Sequence, residues 1–142
     1  MINADYVVGL ADGEGCFYVN LTERDRTKNP RAHIAARSHF YIKLRADDLP
    51  VLDEIRKFLK IGHIYFQKEK RKNHSACYRF EVSSSEDKLK LIRFFNKHSL
   101  QSPKKKRDFR IFTEITKMII KRDHFSSTGT AKIRQLKSTM HH

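Results

Sequence analysis

The chain has 142 residues, which is enough for one domain with a hydrophobic core, and we expect residues 1–142 to form a single domain. Lysine and arginine number 30 against 16 acidic residues, which leaves a net charge of +14. This excess favours an extended polyanion such as nucleic acid as the partner. No apolar run approaches the roughly 20 residues that span a bilayer, and the first residues lack the layout of a signal peptide. We therefore expect an intracellular protein with no membrane partner.

The cysteines and histidines do not follow a metal-binding spacing. Cys16 and Cys77 lie far apart in the sequence, neither belongs to a CxxC pair, and the eight histidines are scattered. A structural zinc site is therefore not expected, and the two cysteines are interpreted as reduced thiols. His141 and His142 are interpreted as a tag remnant and are left out of the reasoning.

The first predicted element is a helix that begins after Asn3, a favourable N-cap residue. Residues 7–17 read "VVGLADGEGCF", and their apolar positions recur at helical spacing. The opposite face carries only short side chains, which let another backbone approach closely. This face consists of Asp5, Gly9, Asp12 and Gly13. The helix is expected to end within residues 13–15, where glycine tolerates the turn into a strand.

The rest of the chain alternates between two periodicities. Alternation of apolar and polar residues predicts strands over residues 17–22, 34–45, 64–67 and 77–82. Helical spacing predicts helices over residues 46–60 and 83–98, another that contains residues 109–119, and a short last one that contains residues 133–140. The predicted order is αββαββα with one or two additional C-terminal helices. We therefore expect an α+β fold with a four-stranded antiparallel sheet.

One side of every predicted strand is apolar, and the other mixes hydrogen-bond donors, acceptors and aromatic rings. This second side comprises Tyr18, Asn20, Thr22, Arg24, Arg37, His39, Tyr41, Lys43, Arg45, Tyr65, Gln67, Arg79 and Glu81. In a DNA major groove, Arg and Lys pair with guanine, Asn and Gln with adenine, and Glu with cytosine. The alternative is an ordinary solvated sheet face, but the mixture favours a DNA-binding face. The basic runs "KEKRK" and "KKKR" suit contacts to phosphates.

Glu14 follows directly on the predicted C-terminal end of the first helix. A helix C-terminus carries partial negative charge, and a carboxylate there raises the negative potential further. Such a site suits a hard divalent cation bound by carboxylate, main-chain carbonyl, water and phosphate oxygens. The alternative for Glu14 is a solvent-exposed acid at a helix end. Asp12 is expected to hydrogen-bond backbone groups and to support the site.

Three segments in chain order resemble the LAGLIDADG homing endonuclease family. "VVGLADGEG" resembles the nine-residue signature of that family. "FYIKLRADDLPVLDEIRKFLKIGHIYF" is similar to its second strand, middle helix and third strand, and "LQSPKKKRDFRIFTEI" to a late lysine-containing segment. The resemblance covers nearly the whole chain and keeps the element order predicted from periodicity.

The resemblance implies a saddle-shaped sheet over double-stranded DNA, with Glu14 as the catalytic and metal-binding acid. The main-chain carbonyl of Gly13 would be a second metal ligand, and the cofactor would be Mg²⁺, with Mn²⁺ or Ca²⁺ able to substitute for binding. Because the chain carries one signature, it resembles the homodimeric branch. There, two copies of the first helix pack along a stripe that comprises Gly9, Asp12 and Gly13 in this sequence.

The resemblance also implies a catalytic lysine near the metal site, which corresponds to Lys105 or Lys104, with Lys105 preferred. Lys106 and Arg107 are interpreted as phosphate contacts. The sequence departs from the family at one place: some relatives have a water-ordering glutamine at the end of the second strand. Leu44 or Arg45 stands there in this chain, and a leucine cannot order water.

The resemblance implies a site-specific DNA endonuclease that acts as a homodimer on a long pseudo-palindromic target. It would hydrolyse one phosphodiester per strand across the minor groove, promote intron mobility, and work in a bacterial cytoplasm or an organelle. Two alternatives on the same scaffold are an intron RNA-splicing cofactor, whose partner would be RNA, and a DNA-binding protein without catalysis. The acid at Glu14 and the lysine cluster favour the endonuclease.

Overall fold

The computed structural model describes residues 2–22, 34–68 and 76–141. Predicted features elsewhere, namely Arg24, the polar stretch between the first two strands and most of the "KEKRK" run, lie outside these ranges. The helices are α1 (Ala4–Glu14), α2 (Leu49–Leu59), α3 (Ser85–Lys97), α4 (Pro103–Ile120) and α5 (Ser127–Ser138). The strands are β1 (Gly15–Thr22), β2 (Ala35–Arg45), β3 (His63–Gln67) and β4 (Cys77–Val82). The described elements therefore follow the order αββαββα with two further C-terminal helices, as predicted.

The four strands form one antiparallel sheet in the order β1-β2-β4-β3. Its apolar side packs on the helices, where Phe17, Phe40, Ile42 and Phe80 are almost fully buried. The ring of Phe17 lies 4.9 Å from that of Phe40 and 5.1 Å from that of Phe112, measured between centroids. The aromatic contacts therefore join β1 to β2 and to α4, and the predicted fold class is confirmed.

The helix α1 begins and ends where the sequence predicts, but Gly15 is needed for a different reason. The side chain of Asn3 accepts a hydrogen bond from the Tyr6 amide at 2.9 Å, which caps the helix start. Gly15 has φ −75°, a conformation open to any residue. A Cβ at this position would lie 2.7 Å from the Ala11 carbonyl oxygen and 2.8 Å from the Phe40 ring. Gly15 therefore allows close packing of the helix end on β2, and the expectation that it serves a special turn is wrong.

Three further details differ from the sequence-based expectations. The "KKKR" run lies in the first two turns of α4 and does not lead into the helix from outside. Phe66 is on the apolar side of edge strand β3, opposite Tyr78, yet it is 56% exposed. His141, set aside as a tag remnant, donates its amide to the buried Asp108 carboxylate at 3.0 Å, and its imidazole lies 3.3 Å from the same group. The end of the described chain thereby packs against α4.

Within the described ranges, no helix has both the length and the apolar character needed to cross a membrane.

Candidate functional site

The strand register shows that the predicted polar face exists as one surface. Residues opposite each other on neighbouring strands share a face of the sheet, and Tyr18 lies opposite His39 while Asn20 lies opposite Arg37. In the same way, Tyr41 lies opposite Glu81. Lys43 and Tyr65 both lie opposite Arg79, one on each side of it. Arg45 and Gln67 both lie opposite Cys77 in the same way. Thr22 lies opposite Ala35. The structure thus brings together every predicted face residue that it describes, all of them except Arg24.

Besides Ala35 and Cys77, two further residues of this surface are absent from the sequence-based list. Cys16 lies opposite Tyr41, and His63 lies opposite Glu81. Each is two positions before a tyrosine already assigned to the face, so the strand alternation contains the signal for both. Both belong to the row that contains Tyr41 and Glu81, and they continue this row onto β1 and β3.

The centre of the surface is a connected cluster of charged and aromatic groups. The Arg79 guanidinium lies 3.6 Å from the centroid of the Tyr41 ring, and its Nη2 lies 3.6 Å from the Glu81 carboxylate. His39 Nε2 lies 3.5 Å from the same carboxylate, and the His39 ring stacks at 4.7 Å on Tyr18. These contacts hold the polar ends in fixed positions before any partner binds.

Burial favours the neutral form of His39 in this cluster. It lowers the pKa of His39 below its ordinary value, and the cations of Arg79, Lys88 and Arg37 act in the same direction against the nearby Glu81 carboxylate. His39 is therefore neutral near pH 7, and its contact with Glu81 is a polar contact more than an ion pair. The pKa of Tyr41 is raised, first by a side-chain hydrogen bond with Cys16 and then by burial.

One of the predicted catalytic lysines contacts the point where α1 passes into β1. Glu14 is the exposed last residue of α1, and β1 starts at Gly15 directly after it. The Lys105 ammonium donates a hydrogen bond to the Gly15 carbonyl. Lys104 is exposed, whereas Lys105 is half-buried. The geometry therefore brings Lys105 next to the residue that follows Glu14, and it describes no such contact for Lys104.

Asp12 links the two helices that carry these residues. Its carboxylate accepts hydrogen bonds from the Gln101 amide at 2.9 Å and from the Ser102 amide at 3.2 Å. These are the two residues just before α4, in which Lys105 occupies the first turn. The sequence suggested a backbone-bonding role for Asp12 but could not identify the amides. The carboxylate fixes the start of α4, and hence Lys105, relative to the end of α1.

The oxygen atoms at the end of α1 suit a hard divalent cation. Glu14 offers an exposed carboxylate, and the main chain of Gly13 precedes it at the negative end of the helix dipole. Across residues 2–22, 34–68 and 76–141, no group of three or more His, Cys, Asp or Glu side chains could hold a metal. A cation bound at Glu14 would therefore need further ligands from the main chain, water, phosphate or a second chain.

Gly9 and Gly13 of α1 have no packing partner among the described residues. A Cβ added at Gly9 or Gly13 would meet no atom within 4 Å. Tyr6, one helical turn before Gly9 to Leu10, is 44% exposed. The stripe of short residues thus faces away from the core, and nothing within the described chain requires glycine at these two positions.

Leu44 and Arg45 occupy different sides of β2. Leu44 is half-buried and packs against the core, so it does not reach the polar face. Arg45 lies on the polar face, and its guanidinium is 4.0 Å from the exposed Asp47 carboxylate. Of the two candidates for the place of the family's water-ordering glutamine, one is therefore an apolar residue turned inward and the other a cation on the polar face.

Comparisons with known proteins agree with this geometry. The sequence profile of the LAGLIDADG endonuclease family matches residues 7–116. Among curated proteins, the chain is 28% identical over 133 residues to the probable intron-encoded endonuclease 3 of Neurospora crassa, a match covering 93% of this chain and 23% of that protein. The chain therefore spans about a quarter of the length of this curated relative.

Two solved structures are similar over almost the whole chain. The homing endonuclease I-TnaI superposes with a TM-score of 0.82 at 33% identity, over 99% of this chain and 89% of that one. The structure of I-SmaMI bound to its uncleaved DNA target in the presence of calcium ions gives a TM-score of 0.82 at 26% identity, over 99% of this chain and 45% of that one.

The fold is thus that of the homing endonucleases, with a four-stranded sheet whose polar face is open. Because the family profile covers most of its length, the chain belongs to the LAGLIDADG endonuclease family.

The lowered pKa of His39 predicts a specific pH dependence of stability. The unfolded chain titrates this histidine near its ordinary pKa of about 6.5, whereas the folded chain resists protonation. As the pH falls below that value, the unfolded state takes up the proton first, and the free energy of unfolding decreases. The free energy of unfolding, measured with urea, should therefore decrease more between about pH 7.5 and about pH 5.5 in the unchanged protein than in His39→Gln.

The matched control is His63→Gln, since His63 is an exposed histidine of the same surface. The free energy of unfolding of His63→Gln should decrease with pH as much as that of the unchanged protein. An equal pH response of His39→Gln and the unchanged protein would contradict the neutral state of His39.

Proposed function

We propose that this protein is a site-specific endonuclease for double-stranded DNA that requires a divalent metal ion and acts as a homodimer. The observation that carries the proposal is the contact between Lys105 and the Gly15 carbonyl. It brings a cation to the residue that directly follows Glu14, where β1 joins the sheet. A duplex lying on the polar sheet face would then pass close to both the acid and the lysine.

Sequence recognition is assigned to the polar sheet face. Base edges in the major groove are read by bidentate contacts from arginine, glutamine and asparagine side chains, and this face carries all three types. The cluster around Arg79 and Glu81 presents its groups in positions fixed by the Tyr41 ring and by His39. Such preorganisation lowers the entropy lost on binding.

Phosphate contacts are assigned to the start of α4. Its first turn contains no acid, and Lys104, Lys105, Lys106 and Arg107 follow Pro103 in succession. Cations at a helix N-terminus are unfavourable because that end carries partial positive charge. An anion placed there interacts favourably with both the cations and the dipole. The DNA backbone supplies such an anion.

Hydrolysis is assigned to Glu14 and Lys105. Glu14 and the Gly13 carbonyl would hold the metal ion, for which Mg²⁺ is the natural choice of hard cation. A bound divalent ion activates water and stabilises the attacking and leaving oxygens of an in-line displacement. The Lys105 ammonium, held by the Gly15 carbonyl, would stabilise charge on the phosphate or assist proton transfer. Asp12 holds the start of α4, and with it Lys105, in a fixed position relative to the end of α1 that carries Glu14.

Two chains are needed to cut two strands. The uncovered stripe around Gly9 and Gly13 suits close packing of two α1 helices about a twofold axis. This would bring two copies of Glu14 together, one for each scissile phosphate, on a pseudo-palindromic target. The similarity to I-SmaMI supports this arrangement, because this chain covers 45% of that longer one. Promotion of intron mobility is proposed from the intron-encoded relative of Neurospora crassa.

Glu14→Gln should abolish cleavage and preserve binding. The amide removes the negative charge that binds the cation, so we expect the cleavage rate to fall on the order of 1,000-fold or more. A library of randomised pseudo-palindromic duplexes, cut in the presence of Mg²⁺ and then with EDTA, gives the target and the rate. Glu54→Gln is the matched control, since Glu54 is an exposed acid on α2. Undiminished cleavage by Glu14→Gln would refute the assigned metal site.

Lys105→Met and Lys104→Met should differ in how they affect the reaction. Loss of a positioned ammonium lowers a proton-transfer or charge-stabilising step about 100-fold or more, so Lys105→Met should lower kcat. Lys104→Met removes only a phosphate contact and should weaken binding with a reduced salt dependence. Single-turnover cleavage at saturating protein separates the two effects. The reverse outcome would assign the catalytic role to Lys104.

Gly9→Leu tests the dimer. A Cβ at this position meets no described atom within 4 Å, so the fold should persist, whereas a helix partner packed on the stripe would be pushed away. Overpacking of this kind weakens association by about 10- to 100-fold. Sedimentation equilibrium should show a dimer for the unchanged protein and for Lys57→Leu, an exposed position on α2. A monomeric unchanged protein at the concentration that supports cleavage would exclude the homodimer.

A further inference from the structure

One half of strand β2 lacks a partner strand on the side of β4. The pairing between the two strands ends where Phe40 lies opposite Val82. Continuing this antiparallel register would bring Ser84 opposite Ser38, but Ser84 is the N-cap of α3 and the chain leaves the sheet there. Within the described ranges, no strand pairs with residues 35–39 of β2 on that side.

A lysine side chain occupies the place of the missing strand. Lys88 lies one turn into α3, with its amide bonded to the Ser84 carbonyl at 2.9 Å. Its ammonium donates to the Ser38 carbonyl at 2.9 Å and to the Ser38 hydroxyl at 3.1 Å. The Ser38 hydroxyl in turn lies 2.7 Å from the hydroxyl of Thr116 in α4. These bonds tie β2 to two helices.

The cluster formed by Ser38, Lys88 and Thr116 is deeply buried. The three residues are 1%, 5% and 0% exposed, respectively. Burial of an ammonium is unfavourable even when it is hydrogen-bonded, and it lowers the pKa of Lys88. Apolar side chains of similar volume commonly stabilise a core as well or better. A gain in stability therefore does not explain why a lysine stands here.

Ser38 has a special position with respect to the polar sheet face. Its two neighbours in β2, Arg37 and His39, both point to that face, opposite Asn20 and Tyr18. An open notch of about 510 Å³ at this edge is lined from the polar side by Arg37, His39 and Glu81, and from the helix side by Lys88. The Lys88 charge is also close enough to contribute to the lowered pKa of His39. The lysine thus contacts the backbone between two residues of the recognition surface.

We propose that Lys88 is a positioning residue for DNA recognition, whose hydrogen bond to the Ser38 carbonyl replaces that of a missing strand and fixes Arg37 and His39 on the polar sheet face. This inference rests on the proposed function of that face. Without the bond, the main chain of β2 at this point would be hydrogen-bonded to β1 alone, and the two side chains would sample several positions. Mobile side chains discriminate less between bases than fixed ones, because each bidentate contact depends on fixed geometry.

Lys88→Met is the first test, since methionine keeps an unbranched side chain and removes the donor. Arg37→Ala and His39→Ala define which base positions of the target these residues read. At those positions, Lys88→Met should reduce the discrimination between bases about tenfold, with unchanged preference elsewhere in the half-site. Lys90→Met is the matched control, since Lys90 is an exposed lysine of the same helix.

Two further variants separate positioning from loss of stability. Ser38→Ala keeps the backbone carbonyl that Lys88 binds, so it should lower stability without relaxing base preference. The triple variant Ser38→Ala, Lys88→Met, Thr116→Val removes every polar side chain of the cluster together. Because no buried polar side chain is then left unpaired, it should fold even if Lys88→Met does not. It should show the relaxed preference at the same positions.

A measurement without DNA distinguishes failure of this inference from failure of the proposed function. Amide hydrogen exchange over residues 36–39 should be about tenfold faster in Lys88→Met, or in the triple variant, than in Lys90→Met. Unchanged exchange there would overturn the inference whether or not the protein cuts DNA. An unchanged base preference in a folded Lys88→Met or triple variant would also overturn the inference. The same holds if the base preference is relaxed evenly over the whole target, or if Ser38→Ala relaxes it too. Absence of cleavage by the unchanged protein would overturn the proposed function alone.

Discussion

The hydrogen bonds from the Asp12 carboxylate to the amides of Gln101 and Ser102 hold the candidate site together. They connect the end of the first helix to the start of the fourth, across about 90 residues of chain. Lys105 can reach the Gly15 carbonyl only because the first turn of α4 is held in this place. Without them, Glu14 and Lys105 would belong to two helix ends with no fixed relation.

The same junction concentrates opposite charges in a small region. The carboxyl end of α1 carries Glu14 and the negative end of a helix dipole, whereas the amino end of α4 carries four consecutive basic residues and the positive end of another. The carboxyl end of α1 therefore favours a cation, and the amino end of α4 favours a phosphate. Apposing the two helix ends creates a place where a metal ion and a DNA phosphate can meet, although neither end would bind both alone.

Period-two alternation was enough to predict which residues share the polar sheet face, because a strand has only two sides and one of them must be apolar. The register then placed Tyr18, Arg37 and Glu81 on one surface without further information. The partners of Asp12 were beyond prediction, since no local pattern links a helix-end acid to amides so distant in sequence. Gly15 was misread for a related reason: the close approach of Phe40 is a tertiary contact that the local sequence cannot show.

Lys88 shows where pattern reading fails most clearly. In an amphipathic helix that carries several lysines, hydropathy places every lysine on the solvated side, yet this one is buried against the sheet. The reason lies in the sheet itself, because β2 is longer than β4 and its unpaired carbonyl needs a donor from another element. The length mismatch between two strands therefore selects a polar residue on a helix. In the proposed function, Lys88 sets the geometry of the polar sheet face at this edge from the helix side of the sheet, without contact to the DNA.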